Sequence, residues 1–144
     1  MSLEAPGMVI HGPAYAPNYS WIADKDSLVS VIVELDHGAV DADLPATFPA
    51  GTLQSGLVLG KITSGGKYQQ YDDANSPAGV GVAKGILFHA VTLRDPYNAT
   101  LPSGQVVLAA MVVAGAVDSN FLFGIDANGI ADLQAQGMVF VDQF

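Results

Sequence analysis

The sequence predicts a mainly β domain with one C-terminal helix, preceded by an extended N-terminal arm. Three observations carry that prediction. Short runs dense in β-branched residues recur along the chain, clusters of Gly, Pro, Asn and Asp separate them, and only one segment, Asp126 to Gly137, carries both a helix start and a helix stop.

The arm comes first. Residues 1–25 contain Pro6, Pro13 and Pro17 and show neither the period of a strand nor that of a helix. A frayed terminus is usually polar. This one instead carries Met8, Val9, Ile10, Tyr15, Tyr19, Trp21 and Ile22, a composition suited to docking on another surface. The division expected is an arm over 1–25 and a β-rich domain over 26–144.

Ser27 to Glu34 reads as a strand, with Val29, Val31 and Val33 on one face and Leu28, Ser30, Ile32 and Glu34 on the other. The acidic, Gly- and Pro-containing stretch Asp36 to Pro49 reads as a loop. Leu57 to Thr63 is the next strand, and Ser64-Gly65-Gly66 turns it into Lys67 to Tyr71 as a hairpin. Asp72 to Ala78 is a turn cluster, followed by strand signals at Val80 to Phe88 and Val91 to Leu93. A loop bracketed by Asp95-Pro96 and Leu101-Pro102 leads into the apolar run ending at Val117.

Asp126 is a good N-cap for the predicted helix, Ile130 and Leu133 lie three apart on one face, and Gly137 sits where a left-handed stop belongs. Gly129 weakens the helix by about 1 kcal/mol relative to Ala, so it depends on packing. Met138 to Val141 closes the chain as a short strand.

Composition narrows the function. A chain of 144 residues, half of them apolar, can bury a core without metals or covalent staples. The absence of Cys removes disulfides, thiolate zinc sites and Cys nucleophiles. Fourteen acidic against five basic residues give a net charge of −9, the wrong sign for neutralising phosphates, so nucleic acid is not expected as a partner. The longest apolar stretch, Val106 to Val117, is well short of the ~18–20 residues needed to span a bilayer, and no membrane partner is expected. Glu4 and the early prolines do not fit a secretory leader, so the sequons at Asn18 and Asn98 read as chance.

No motif calls for catalysis or a cofactor. Gly56 to Lys61 is one residue too short for a phosphate-binding loop and continues with Ile62, while Gly79-Val80-Gly81 lacks the third Gly and lies in a strand pattern. His11, His37 and His89 are scattered. Asp36-His37 with Asp41 and Asp43 is the best cluster for a hard cation, but no Glu stands at the spacing of a calcium loop, and acidic loop residues ordinarily face solvent. The expectation is a non-enzymatic protein without catalytic, metal or cofactor residues.

Several blocks in order resemble a known family. Gly51-Thr52, Leu57 to Thr63, Gly66-Lys67-Tyr68, Tyr71-Asp72, Ala83-x-Gly85-Ile86-Leu87, Met111 to Val117, Phe121-Leu122 and the Gly124 to Val141 ending are similar to the tailed-phage head decoration proteins related to lambda protein D. The resemblance spans roughly residues 27–144, with a longer acidic insert at Asp36 to Pro49. It implies a β-clip-like fold and a homotrimer that binds the major capsid protein on the outer surface of an expanded head. Such a protein is made in the host cytoplasm and cements the shell as part of the virion. It also implies a capsid-binding arm, for which Met8, Ile10, Tyr15, Tyr19, Trp21 and Ile22 are the candidates. Two rivals stand beside it: a surface adhesin or glycan-binding module using exposed aromatic residues, and a small β-fold hydrolase.

Overall fold

The computed structural model describes residues 19–36, 52–92 and 105–141. Met8, Ile10 and Tyr15 of the arm, and His37, Asp41 and Asp43 of the acidic stretch, lie outside the described residues. Among the described residues, eight strands and one α-helix follow in chain order: β1 Ile22–Leu35, β2 Thr52–Leu53, β3 Val58–Lys61, β4 Tyr68–Gln70, β5 Ala83–Leu87, β6 Val91–Thr92, β7 Val107–Val117, α1 Ala127–Ala135 and β8 Met138–Phe140. The domain is mainly β with one C-terminal helix, as predicted. β2, two residues long, and the 3-10 turn Ser119–Phe121 are too short to leave a periodic signal.

The strand pairings close on themselves. β1 pairs antiparallel with β7, β7 with β5, β5 with β3 and β3 with β4, and β4 returns to β1 through a parallel contact of Leu35 with Tyr68. Closure leaves few open edges in the ring. Alternation along each strand then separates two apolar clusters. Val33, Leu35, Leu57, Leu59, Leu87, Ala109 and Met111 form one, with Leu53 of the small β2–β6 ribbon. Val58, Ile86 and Val112 point the other way and pack with Tyr71, Val117, Leu133 and Met138 in the second.

The second cluster is roofed by the crossover from β7 through α1 to β8, which lies parallel beside β7. A parallel return needs such a connection. Asp126 caps the helix as predicted, its Oδ1 accepting from the Gly129 amide at 2.7 Å. Gly137, at φ +107°, adopts the left-handed stop. Of the predicted helix face, Leu133 is fully buried. Two side chains fasten the helix end to the sheet: Asp132 Oδ2 accepts from the Ala83 amide at 3.0 Å, and Gln136 Nε2 donates to the Lys84 carbonyl at 2.6 Å.

Two sequence expectations are corrected, the placement of Trp21 and the start of the first strand. Trp21, read as a capsid-facing arm residue, is fully buried in the second cluster. Its indole finds both an apolar pocket and a hydrogen-bond acceptor, so burial within its own chain is favoured over exposure. β1 accordingly starts at Ile22, and the domain begins by Trp21 rather than at residue 26. In addition, Val33 is 7% exposed but Val29 and Val31, on the same face by alternation, are 54% and 43% exposed. That end of β1 runs past β4, which meets it only at Leu35, and its pairing with β7 is interrupted by shifts on either side of Val29.

Candidate interaction site

The first described residues of the chain are held firmly. Trp21 Nε1 donates to Ser55 Oγ, the Trp21 carbonyl accepts from the Asp118 amide at 2.8 Å, and the Ile22 amide donates to the Tyr19 carbonyl at 2.9 Å. Next to this anchor lies an open apolar groove of about 540 Å³ lined by Tyr19, Ile22, Ala23, Lys25, Phe88 and His89. Its wall is aromatic. Phe88 and His89 stack with ring centroids 4.4 Å apart, Tyr19 stands edge-on to both at 5.9 Å, and Trp21 meets Phe88 edge-on from beneath at 6.3 Å. Tyr19 Oη and His89 Nδ1 share a hydrogen bond of 2.8 Å.

Of the predicted arm residues, the structure thus brings Tyr19 and Ile22 to one groove and removes Trp21 into the core beneath it. Phe88 and His89 escaped the sequence reading because they lie about 70 residues along the chain from Tyr19, as the Tyr19 to His89 separation shows, and no local spacing marks them.

A second surface lies on the β1–β7 ribbon. Val29, Val31, Ile32, Val106 and Leu108 are 54%, 43%, 67%, 56% and 61% exposed. Together they leave the equivalent of nearly three whole side chains in water, and burying them would contribute about 4–8 kcal/mol. Glu34 on the same ribbon is paired with Lys67 at 3.3 Å. The signal in the sequence was Ile32, an apolar residue that stands between Ser30 and Glu34 on its face of the strand.

The acidic side chains near the helix are engaged structurally. Tyr71 Oη donates to Asp126 Oδ1 at 2.9 Å and to Asp73 Oδ1 at 3.2 Å, and Asn128 Nδ2 donates to Asp73. Burial, then hydrogen bonding and charge from Asp126, then Asp73, hold the Tyr71 phenol well above its ordinary pKa. Among the described residues no group of three or more His, Cys, Asp and Glu is placed to hold a metal ion, and no helix is long and apolar enough to cross a membrane. No protein-family model and no curated protein matches the sequence. What the geometry offers is surface chemistry: an aromatic groove at the root of the N-terminal segment and an uncovered apolar ribbon.

Proposed function

We propose that this chain is a capsid decoration, or cement, protein: a homotrimer that binds the major capsid protein on the outside of an expanded phage head and stabilises it against internal pressure. The observation that carries the reading is the anchor at Tyr19 to Ile22. It fixes residue 19, where the preceding 18-residue segment containing Met8, Ile10 and Tyr15 joins the domain, beside an open apolar groove. The order of the sequence blocks resembling head decoration proteins supports the same reading. Ordering one such segment on a partner costs about 1–2 kcal/mol of backbone entropy per residue. Three segments carried on one trimer act at high effective concentration and bridge neighbouring capsid subunits. The net charge of −9 is compatible with work on the outer surface, away from packaged nucleic acid.

Purified heads test this. The full chain is expected to saturate expanded heads and leave unexpanded ones bare, and removal of residues 1–18 is expected to abolish attachment while Trp21 keeps its buried near-ultraviolet signature. Equal attachment by the shortened chain rules out the arm as the capsid-binding element. The aromatic wall of Tyr19, Phe88 and His89 favours a second reading, a glycan-binding module on the virion, since sugars stack on exposed rings. Binding on a glycan array that is lost in Tyr19→Ala selects it over the first.

A further inference from the structure

We infer that the groove at the root of the N-terminal segment is a binding site for a neutral sugar, which lays its C–H face on the rings of Tyr19 and His89 and turns its hydroxyls to the polar groups of the rim. The inference names the ligand class for the glycan-binding reading and rests on that reading; attachment to a phage head is independent of it.

Both sides of the groove are braced before any ligand arrives. On one side Phe88 and His89 stack at 4.4 Å, Trp21 supports Phe88 from beneath, and Tyr19 Oη holds His89 Nδ1 at 2.8 Å. Ser55 Oγ, donating to the Phe88 carbonyl, fixes the backbone behind that pair. The other side is the stretch of β1 that carries Lys25. Asp24 stands opposite Ala116 and Val29 opposite Ala114, so four residues of β1 face one of β7 and the strand bulges outward. The bulge is pinned. Ser27 Oγ donates to the Asp24 carbonyl at 2.7 Å and accepts from the Ala116 amide at 3.0 Å, and Asp24 Oδ1 accepts from the Asp26 amide at 3.0 Å. Gly115, at φ +135°, lies against it, where a Cβ would meet Leu28 Cδ2 at 2.8 Å. Walls fixed in this way spare a ligand the cost of ordering them.

The chemistry of lining and rim selects among ligands. At about 540 Å³ the groove is of the size, roughly 300–1,000 Å³, that takes a small molecule. Its aromatic wall suits a ligand with one apolar face. Lys25 lines it and makes no ion pair among the described residues, so a cation is repelled. Asp24 and Asp26, both exposed, flank Lys25 on a chain of net charge −9, so an anion is not favoured either. A neutral ligand remains, and one rich in hydroxyls uses both signs of the rim. The Lys25 ammonium donates to a hydroxyl oxygen, the two carboxylates accept from hydroxyl hydrogens, and His89 Nε2 donates when Nδ1 accepts from Tyr19. A pyranose joins these properties in one molecule: its axial C–H groups carry slight positive charge and meet the negative face of an aromatic ring, while its hydroxyls project from the edge toward the rim.

NMR titration of the full chain tests this, with the methyl glycosides of galactose, glucose and N-acetylglucosamine set against glucuronate, sialic acid, octanoate and a leucine peptide flanked by lysines. At least one neutral glycoside is expected to shift the amides of Tyr19 to Lys25 and of Phe88 and His89, with a Kd on the order of millimolar for a single sugar. Lys25→Ala and His89→Ala are each expected to weaken binding about tenfold, the effect of one or two lost hydrogen bonds, and Tyr19→Ala to abolish it. Ile32→Ser, near the other end of β1, is expected to bind as wild type does. The near-ultraviolet signal of Trp21 monitors folding, and Tyr19→Leu, which keeps apolar bulk without the ring, serves if Tyr19→Ala loses it. No shift with any neutral glycoside, shifts outside the groove, or groove variants that bind like wild type each overturn the inference. So does a groove that takes the acidic sugars, octanoate or the peptide in preference. A glycan array separates the inference from the reading beneath it: binding confined to acidic glycans overturns the inference and leaves the glycan-binding reading standing, whereas an array without binding removes both.

Discussion

Trp21 Nε1 donates a hydrogen bond of 2.9 Å to Ser55 Oγ, joining the root of β1 to a loop 34 residues away, and Ser55 in turn donates to the Phe88 carbonyl at 2.6 Å. One hydroxyl thus serves as acceptor for a buried indole and donor to the strand end that carries the aromatic groove. Gly56 follows at φ +93°, and a Cβ there would meet Trp21 Cδ1 at 2.9 Å. The tight approach allows the indole to sit against this backbone.

Ser55→Ala leaves the indole N–H buried without its acceptor. A loss of about 1–3 kcal/mol is expected, read as a lower urea midpoint with unchanged slope. Trp21→Ala, which also empties a large volume, is expected to cost about 3–5 kcal/mol. Stability unchanged in both would refute the placement of Trp21 in the core.

Gly85 is required by close packing where β5 pairs with β7. A Cβ there would meet Met111 Cγ at 2.5 Å and the Val112 carbonyl oxygen at 2.6 Å, and the backbone atom has no rotamer by which to yield. Gly85→Ala is therefore expected to destabilise by about 1–3 kcal/mol through overpacking, despite the better strand statistics of a residue with a side chain. Thermal melting is the measurement.

Tyr71 makes stability sensitive to alkali. Its folded-state pKa is raised above the ordinary 10.0, chiefly by burial, so the neutral phenol is favoured in the fold. The stabilisation from this difference is complete below the unfolded-chain value of about 10 and is lost as pH rises above it toward the folded-state value. Wild type is expected to weaken above about pH 10, and Tyr71→Phe to flatten that part of the stability profile. A profile identical in the variant would assign the alkaline loss elsewhere.

Asp132→Ala removes the acceptor for the Ala83 amide and loosens α1 from β5. A cost of about 0.5–1.5 kcal/mol is expected, with faster exchange of the Ala83 amide than in wild type.

Much of the fold was legible because its signals are local. The hairpin of β3 and β4 follows from Ser64-Gly65-Gly66, and α1 from Asp126 and Gly137, whose conformations are set within a few residues. The candidate site was only half legible. Tyr19 and Ile22 carry a local signal, an aromatic and apolar excess near the N-terminus, but their neighbours Phe88 and His89 arrive through the pairings of β5. The same local excess pointed to Trp21, and there it misled: composition records that a side chain needs a partner surface, not whether that surface belongs to the same chain.

By itself, then, the sequence determined where the longer strands, their turns and the helix form, since alternation, Gly and Pro placement and capping act over short spans. It also determined the electrostatic character of the molecule, because net charge is a sum that folding does not change. Only the tertiary structure decided how the strands close into a ring, which apolar residues fill it, and which remain in water. Ile32 and Val33 are adjacent residues of one strand with similar hydrophobicity, yet Val33 is buried and Ile32 is 67% exposed. The difference lies in what stands opposite each face: the far wall of the ring for Val33, and solvent for Ile32, past the end of the cover that α1 supplies.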